Sequence, residues 1–165
     1  MEIDSKLISK LKKIKLVALD IDGTLTDGSI YISGSRDEFK RFDVKDGAGI
    51  VMAIKAGIRF AIISGRYSKS TFHRADELGI EVVKIATVDK GETLKEIMDE
   101  NQLTPDQVVF IGDDILDISA MKVAGIGVAV ADSTEDTLAA ADYITLKKGG
   151  QGAVREFIDL ILDHI

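Results

Sequence analysis

Residues 16–28 read Leu-Val-Ala-Leu-Asp20-Ile-Asp22-Gly23-Thr24-Leu-Thr26-Asp27-Gly28, an apolar run that ends in acids and glycines. The apolar run predicts a buried strand, and Gly23 permits the chain to turn as soon as the strand ends. Both acids can then reach one pocket, where they repel each other unless a cation or a proton offsets them. This predicts a divalent-metal site with acid–base or nucleophilic chemistry. The alternative is a strand followed by a solvated acidic turn, because Asp, Gly and Thr are common turn formers.

Short apolar runs recur along the chain and alternate with helical patterns. Most of the runs lack polar alternation, which is typical of strands buried on both faces of a parallel sheet. The predicted strands are Leu16–Leu19, Phe60–Ile63, Glu81–Ile85, Val108–Ile111, Gly127–Val130 and Tyr143–Leu146. The predicted helices are Ser5–Lys13, Gly47–Lys55, Lys69–Leu78, Gly91–Glu100, Leu116–Val123, Thr134–Ala141 and Gly152–His164. The alternation predicts an α/β fold with a doubly wound, Rossmann-like, mostly parallel sheet and helices on both faces.

One stretch, at about residues 29–43, departs from this alternation. Ile30-Tyr31-Ile32 and Glu38-Phe39-Lys40-Arg41-Phe42 flank a turn rich in Ser and Gly, which predicts an inserted β-hairpin. Two interpretations remain, a flap over the acidic motif and an ordinary surface hairpin. We expect residues 1–165 to form a single domain without a large cap domain.

Composition excludes several classes of function. The 165 residues are 45% hydrophobic, enough for a core, and their formal net charge of -7 argues against binding to nucleic acid or an anionic membrane. The chain contains no cysteine, which excludes disulfides, thiolate zinc sites and cysteine nucleophiles. No apolar run approaches the length of a membrane span, and the N-terminus does not read as a signal peptide. We therefore expect a soluble cytoplasmic protein.

Three further motifs follow the ends of other predicted strands: Ser64-Gly65-Arg66, Lys90, and Gly112-Asp113-Asp114 with Asp117. Taken singly, each has an ordinary explanation as a turn, an exposed lysine or a helix start that favours carboxylates. The carboxyl ends of parallel strands, however, share one edge of the sheet, where ligands of open α/β folds bind. The order of these motifs therefore predicts that they converge on one site.

This set of motifs resembles the haloacid dehalogenase superfamily of phosphohydrolases, and the resemblance spans essentially the whole chain. Several details resemble one branch more closely, the 3-deoxy-D-manno-octulosonate 8-phosphate (KDO 8-phosphate) phosphatases. These are Leu25-Thr26-Asp27-Gly28, the hairpin insert, Phe42–Ile50, and Gly149-Gly150-Gln-Gly152-Ala-Val-Arg155-Glu156. The resemblance implies a phosphatase of lipopolysaccharide biosynthesis that acts on a small, anionic, phosphorylated sugar acid.

The resemblance also implies roles for particular residues. Asp20 is the nucleophile, and Asp22 is the acid and base that protonates the leaving alkoxide and deprotonates water. Mg²⁺ is the cofactor, held by the side chains of Asp20 and Asp113 and the carbonyl of Asp22. Ser64 and nearby N–H groups hold phosphoryl oxygens, while Lys90 favours the ionised nucleophile. Asp114 is a supporting residue, and Asp117 either holds Lys90 or is a solvated helix residue.

Substrate-binding positions are expected at Gly23, Thr24, Asp46, Gly47, Gly65, Arg66, Lys69 and Arg74. The Arg66 guanidinium matches the geometry of a substrate carboxylate, whereas Lys69 and Arg74 equally fit a basic, solvated helix face. The resembling branch further implies a homotetramer, in which the hairpin and the C-terminal tail of neighbouring subunits help to close each site. Residues 149–152 are a candidate for such a mobile tail.

Other functions compete with this interpretation. Among enzymes, the substrate is alternatively a nonulosonate 9-phosphate or another sugar phosphate. A phospho-accepting signalling domain also uses an acid cluster, a hydroxyl residue and a lysine on a doubly wound sheet, but there the lysine comes last in the chain, whereas here Asp113 follows Lys90. A subunit that keeps the fold without catalysis is a third class, and the complete set of candidate residues argues against it.

Overall fold

A computed structural model describes residues 4–35 and 37–165. The strands are β1 Leu16–Leu19, β2 Tyr31–Ile32, β3 Glu38–Phe39, β4 Arg59–Ile63, β5 Val82–Lys84, β6 Val108–Gly112, β7 Ile126–Ala129 and β8 Tyr143–Ile144. The helices are α1 Ser5–Leu11, α2 Val44–Lys55, α3 Lys69–Leu78, α4 Lys90–Glu100, α5 Ile118–Val123, α6 Glu135–Ala140 and α7 Ala153–Leu162. Short 3₁₀ turns span Pro105–Gln107 and Ile115–Asp117.

Six of the strands form one parallel sheet in the order β5-β4-β1-β6-β7-β8, with β1 near the middle. Leu19 at the end of β1 pairs with Ile62 of β4 and with Ile111 of β6. The three central strands therefore end at the same level, and the loops that follow them lie side by side. The predicted doubly wound α/β fold is confirmed.

The sheet is covered on both faces, which explains the apolar strands without alternation. Val17 and Leu19 of β1 belong to the core that packs against α2 and α7, whereas Leu16 and Ala18 pack on the other face against α4 and α5. All four residues of β1 are buried. Burial of each larger side chain contributes about 1.5–3 kcal/mol, so the site stands on a rigid support.

Several element boundaries differ from the sequence prediction because side chains bond to backbone N–H groups. Helix α2 begins at Val44 rather than Gly47, since the Asp43 carboxylate accepts a hydrogen bond from the N–H of Lys45 (2.7 Å). Strand β8 ends at Ile144, and beyond Thr145 the N–H groups of Leu146 and Lys147 donate to the Glu156 carboxylate (2.8 and 3.0 Å) rather than to a neighbouring strand. The predicted helix Leu116–Val123 is divided into a 3₁₀ turn and α5.

Strands β2 and β3 form the antiparallel hairpin expected in the insert, with Tyr31 opposite Phe39 and Ile32 opposite Glu38. A bridge between Thr26 and Phe42 closes the base of this hairpin, which we call the flap. Among the described residues between β1 and α2, β2 and β3 are the only strands, and there is no helix. None of the helices in the described ranges has the length and apolar character needed to cross a membrane.

Candidate active site

The four predicted motifs meet at the carboxyl edge of the sheet. Asp20 follows β1, Ser64 follows β4, Lys90 begins α4 after β5, and Asp113 follows β6. The Lys90 ammonium lies 2.8 Å from Asp20 Oδ1. The motifs border a cavity of about 430 Å³ whose lining comprises Asp20, Asp22, Ser64, Gly65, Arg66, Thr87, Val88, Lys90, Asp114 and Leu116. The motifs therefore form one shared site, as their positions at the ends of parallel strands predicted.

The loop after β1 is shaped by Thr26 and Gly23. The Thr26 hydroxyl accepts hydrogen bonds from the N–H groups of Gly23 and Gly28, both at 3.2 Å, and donates to the Ile21 carbonyl. Gly23 has a φ of +92°, and a Cβ placed there would lie 2.1 Å from an Asp113 carboxylate oxygen. Glycine is required for both reasons, because the backbone turns through the left-handed region directly against a candidate metal ligand.

A second backbone segment, residues 147–152, packs against the other side of this loop, and we call it the strap. The N–H of Gly150 donates to the Thr24 carbonyl at 3.0 Å, and the N–H of Gly149 donates to Asp132. A Cβ on Gly149 would lie 1.7 Å from the Gly23 carbonyl oxygen. This segment, which the sequence offers as a candidate tail, contacts the loop after β1 of its own chain.

Three carboxylates crowd the centre of the site. One oxygen from each of Asp20, Asp113 and Asp117 lies within 4.8 Å of the others. Burial, together with the charges of Asp20 and Asp117, raises the pKa of Asp113 to about 7. Burial and the charge of Asp117 raise the pKa of Asp20 to about 6 against the opposing effect of Lys90. This excess of negative charge and the all-oxygen donor set suit a hard divalent cation such as Mg²⁺.

Asp117 differs from the other two acids because its oxygens already have partners. Oδ1 lies 2.6 Å from the Lys90 ammonium, and Oδ2 accepts the N–H groups of Asp113 and Asp114 at 2.9 and 3.1 Å. Its side chain is wholly buried. Of the two interpretations of Asp117, the structure agrees with a residue that holds Lys90. Of the three acids, Asp20 and Asp113 are the ones available to hold a cation.

Lys90 bridges two of these acids, since its ammonium lies within 2.8 Å of both Asp20 and Asp117. Burial opposes its charge, but the two carboxylates outweigh burial and raise the pKa of the Lys90 ammonium. The lysine therefore keeps its charge and partly offsets the repulsion between the acids. On the other side of Asp113, the Thr24 hydroxyl donates to its Oδ1 at 3.1 Å and fixes the carboxylate against the loop.

Ser64 lies buried at the end of β4, where its backbone pairs with the end of β5 and the loop that follows: its N–H donates to the Lys84 carbonyl, and its own carbonyl accepts the N–H of Thr87. The Ser64 hydroxyl accepts the N–H of Arg66 at 3.4 Å. A hydroxyl and N–H groups at a strand end form a concave site for an anion, here in the same cavity that Asp20 lines. Asp114 is exposed and accepts the N–H of Ile115.

Asp22 is joined to two flap residues that sequence reasoning missed, directly to Lys40 and through Lys40 to Glu38. The ammonium of Lys40, from the flap, lies 2.6 Å from Asp22 Oδ1, and Glu38 lies 3.6 Å from the same ammonium. Glu38 and Lys40 are two residues apart on an extended segment and therefore point to the same side. The alternation of side chains along this segment is the sequence signal that could have placed Glu38 and Lys40 together. It is not sufficient alone, because a hairpin pattern does not distinguish a flap from a surface loop.

Several of the expected substrate-binding residues lie outside the cavity that Asp20 lines. Asp46 is wholly buried, and its carboxylate accepts the N–H groups of Gly152 and Arg155 (3.2 and 2.7 Å), which anchors the start of α7. Arg74 pairs with Glu77 at 2.7 Å and blocks the space beside Gly47. Lys69 is exposed on α3 and borders a separate cavity with Phe39, Tyr67 and His73. Within one chain, these residues do not join the Asp20 cavity.

Comparisons with known proteins agree with this geometry. Residues 80–158 match the family model of haloacid dehalogenase-like hydrolases. The KDO 8-phosphate phosphatase KdsC of Escherichia coli K12 is 38% identical over 160 residues, which cover 97% of this chain and 85% of that protein. A phosphatase of the same name from Moraxella catarrhalis, solved with magnesium, phosphate and KDO, has a TM-score of 0.95 and 40% identity, covering 98% of this chain and 93% of that one.

A further similar structure is the cobalt-bound KDO 8-phosphate phosphatase of Haemophilus influenzae, with a TM-score of 0.91, 37% identity, and coverage of 94% of this chain and 91% of that chain. The chain belongs to the haloacid dehalogenase-like hydrolases. Within that family, its similarity to phosphatases extends over nearly its full length. The match favours a phosphohydrolase over a phospho-accepting signalling domain.

Proposed function

We propose that this protein is a Mg²⁺-dependent phosphatase that hydrolyses KDO 8-phosphate, a small phosphorylated sugar acid, through an aspartyl-phosphate on Asp20. The observation that carries the proposal is the meeting of Asp20, Lys90 and Asp113 at the carboxyl edge of the sheet, beside a cavity that Asp20 and Lys90 line. The KdsC relatives and the structure with magnesium, phosphate and KDO support the substrate.

In the first half of the reaction, an Asp20 carboxylate oxygen attacks phosphorus and the bond from phosphorus to the sugar oxygen breaks. The Asp22 carboxyl group gives its proton to that oxygen, so that the sugar leaves as an alcohol. Lys90, 2.8 Å from Asp20, stabilises the ionised nucleophile. The Ser64 hydroxyl and the neighbouring N–H groups hold the phosphoryl oxygens as charge builds on them.

In the second half, Asp22 is a carboxylate and accepts a proton from water. The water oxygen bonds to phosphorus and the bond from phosphorus to Asp20 breaks, which releases inorganic phosphate and restores the Asp20 carboxylate. The proton that Asp22 gains replaces the one it gave to the sugar, so the cycle balances. Asp22 is suited to both roles because it borders the same cavity as Asp20.

The acids fit Mg²⁺, for which the Asp20 and Asp113 side chains and the Asp22 carbonyl are the proposed ligands. When bound, the cation neutralises charge on the phosphoryl group and orients it. Thr24 supports this set by holding Asp113 at 3.1 Å, and Asp117 does so through the N–H groups of Asp113 and Asp114. Asp114 has a supporting role at the cavity edge.

The test of this function is phosphate release from KDO 8-phosphate and from a panel of sugar phosphates, including a nonulosonate 9-phosphate, with and without Mg²⁺. We expect KDO 8-phosphate to have the highest kcat/KM and the activity to disappear with a chelator. Faster hydrolysis of another sugar phosphate would contradict the substrate, and a chelator-resistant rate would contradict the metal. Absence of hydrolysis for every phosphomonoester would contradict the function itself.

The homotetramer is a proposal supported by the exposed apolar side chains of the flap, those of Tyr31, Ile32 and Phe39. Such a patch on a short two-stranded hairpin suits contact with another subunit. In that arrangement a neighbouring subunit supplies substrate contacts that one chain does not bring to its own cavity. Light scattering tests this assembly, and a fully active monomer would contradict it. The expected cytoplasmic location and the single domain over residues 1–165 stay predictions.

A further inference from the structure

The flap contributes two charged side chains that close a ring of alternating charge at the cavity mouth. The Lys40 ammonium lies 2.6 Å from Asp22 Oδ1 and 3.6 Å from Glu38 Oε1. On the opposite side, the Arg66 guanidinium lies 2.6 Å from Glu38 Oε2 and 3.8 Å from Asp22 Oδ2. Each acid of this charge ring therefore contacts both cations, and each cation contacts both acids.

The burial of Lys40 distinguishes the charge ring from a surface salt bridge. Exposed ion pairs contribute little, because water screens them and the side chains lose freedom. The Lys40 side chain is 0% exposed, and those of Glu38 and Asp22 are 18% and 20% exposed. A lysine is rarely buried without partners, so its position depends on both carboxylates. The flap is further tied to α3, because the Ser70 hydroxyl donates to the Glu38 carbonyl at 2.9 Å.

The contact with Glu38 involves one side of the Arg66 guanidinium, and Arg66 also lines the cavity. Glu38 bonds to one terminal nitrogen, Nη2, at 2.6 Å. The other terminal nitrogen, Nη1, faces Asp22, and Arg66 lines the cavity with Asp20. A guanidinium fixed in this way presents donors in a planar fork, a geometry that matches a carboxylate. The Arg66 side chain is 44% exposed, so the packing around it does not fix its orientation and Glu38 supplies the constraint.

We propose that Glu38 is a positioning residue for substrate selection and that Lys40 positions Glu38 and Asp22. Glu38 fixes Arg66 at the cavity mouth so that the enzyme prefers phosphomonoesters that also carry a carboxylate. This inference rests on the proposed phosphatase function and deepens it, because it explains how a small flap distinguishes a sugar acid from a neutral sugar. Glu38 acts through Arg66, and Lys40 holds Glu38 and Asp22 together.

The test compares KDO 8-phosphate with ribose 5-phosphate and p-nitrophenyl phosphate, neither of which carries a carboxylate. Glu38→Gln removes the charge that orients Arg66. We expect its KM for KDO 8-phosphate to rise roughly tenfold, the scale of one charge-assisted hydrogen bond. We expect kcat/KM to fall less for the two other substrates, because only KDO 8-phosphate also loses its contact with Arg66. Equal effects on all three substrates would overturn the proposal, because they would indicate a structural role alone.

A double-mutant cycle tests whether Glu38 acts through Arg66. In an Arg66→Ala background, Glu38→Gln should cause no further loss of preference for KDO 8-phosphate, since the residue it orients is absent. Additive losses would overturn the proposal. Lys40→Met should lower kcat for all three substrates because Asp22 loses its partner, and Lys40→Arg, which keeps the cation, should restore it. A failure of Lys40→Arg to exceed Lys40→Met would overturn the role of Lys40.

Glu92→Gln is the matched control, because Glu92 pairs with Lys95 at the same distance of 2.6 Å on the exposed side of α4. It should leave the kinetics on all three substrates unchanged. The outcomes separate this inference from the function on which it rests. If the unmodified protein hydrolyses no phosphomonoester, the proposed function fails. If it hydrolyses all three and Glu38→Gln does not change the ratio of their kcat/KM values, the inference alone fails.

Discussion

The Lys90 ammonium lies 2.8 Å from Asp20 Oδ1, although the two residues follow strands β5 and β1, between which β4 lies in the sheet. The side chain of Lys90 reaches past the end of β4 to make this contact and also meets Asp117 at 2.6 Å. One buried cation thus holds a residue of the first motif and a residue of the last one. Lys90 thereby joins the loop after β1 to the 3₁₀ turn that contains Asp117.

Lys90→Met should destabilise the protein as well as abolish phosphatase activity. The change leaves Asp20 and Asp117, which are 6% and 0% exposed, without the cation that offsets their charges. Removing one partner of a buried ion pair typically costs about 3–5 kcal/mol. Chemical denaturation at pH 7.5 without Mg²⁺ measures this loss.

Lys95→Met is the control for that variant, because Lys95 makes an ion pair of 2.6 Å that is more than half exposed. Its free energy of unfolding should change by less than about 0.5 kcal/mol. A Lys90→Met protein as stable as the Lys95→Met protein would contradict the buried bridge described above.

Asp113→Asn should raise the stability of the metal-free protein at pH 8 and remove its response to Mg²⁺. The pKa of Asp113 is raised from 3.8 to about 7 by burial and by the neighbouring acids, so folding disfavours its ionised form. For an acid with a raised pKa, stability falls as pH rises from about 4 to 7 and stays low above that range. The amide avoids this penalty of about 2–4 kcal/mol, while its oxygen still accepts the Thr24 hydroxyl.

Thermal unfolding at pH 5 and pH 8, with and without Mg²⁺, checks this prediction. Without metal, the gain in stability from Asp113→Asn should be larger at pH 8 than at pH 5. Mg²⁺ should raise the melting temperature of the unmodified protein and not that of the variant, since binding to the folded state alone stabilises it. A variant that responds normally to Mg²⁺ would rule out Asp113 as a ligand.

Gly149→Ala should weaken Mg²⁺ binding by displacing the catalytic loop. The added Cβ would lie 1.7 Å from the Gly23 carbonyl oxygen, and a shift of Gly23 away from it presses the loop against Asp113. The measurement is the Mg²⁺ concentration that gives half of the maximal thermal shift, which we expect to rise at least tenfold, about 1.4 kcal/mol.

Gly125→Ala provides a matched clash on the opposite edge of the sheet, where a Cβ would lie 2.3 Å from the Pro105 carbonyl oxygen. We expect it to lower stability and to leave the Mg²⁺ response intact. If both variants lowered stability and neither altered that response, the strap would have no role in shaping the site.

The sequence was sufficient to predict the α/β fold and the succession of strands along the chain, because each motif follows an apolar run of the length of a strand. Position at strand ends was also sufficient to bring Asp20, Ser64, Lys90 and Asp113 together. The positions of Asp46 and of the strap were not predictable from strand ends. Asp46 caps the distant α7, and Gly149 packs on Gly23, so both depend on the register of the last helix against the sheet.

Lys40 and Glu38 illustrate a different limit. The alternation that places both on one side of the flap was present in the sequence, but the direction in which a short hairpin folds depends on tertiary contacts. Here those contacts are the bridge from Thr26 to Phe42 and the bond from Ser70 to the Glu38 carbonyl. Local pattern alone therefore could not distinguish a catalytic flap from a surface hairpin.

The central claim, that Asp20 carries the phosphoryl group during turnover, is tested most directly by trapping it. The protein is denatured during turnover of KDO 8-phosphate with Mg²⁺ and then reduced with borohydride. Its peptides are mapped by mass spectrometry, with Asp20→Asn as the control. We predict homoserine at position 20 in the active protein and neither homoserine nor phosphate release in Asp20→Asn. Near-normal phosphate release by Asp20→Asn, or a trapped phosphoryl group on a different residue, would contradict the mechanism.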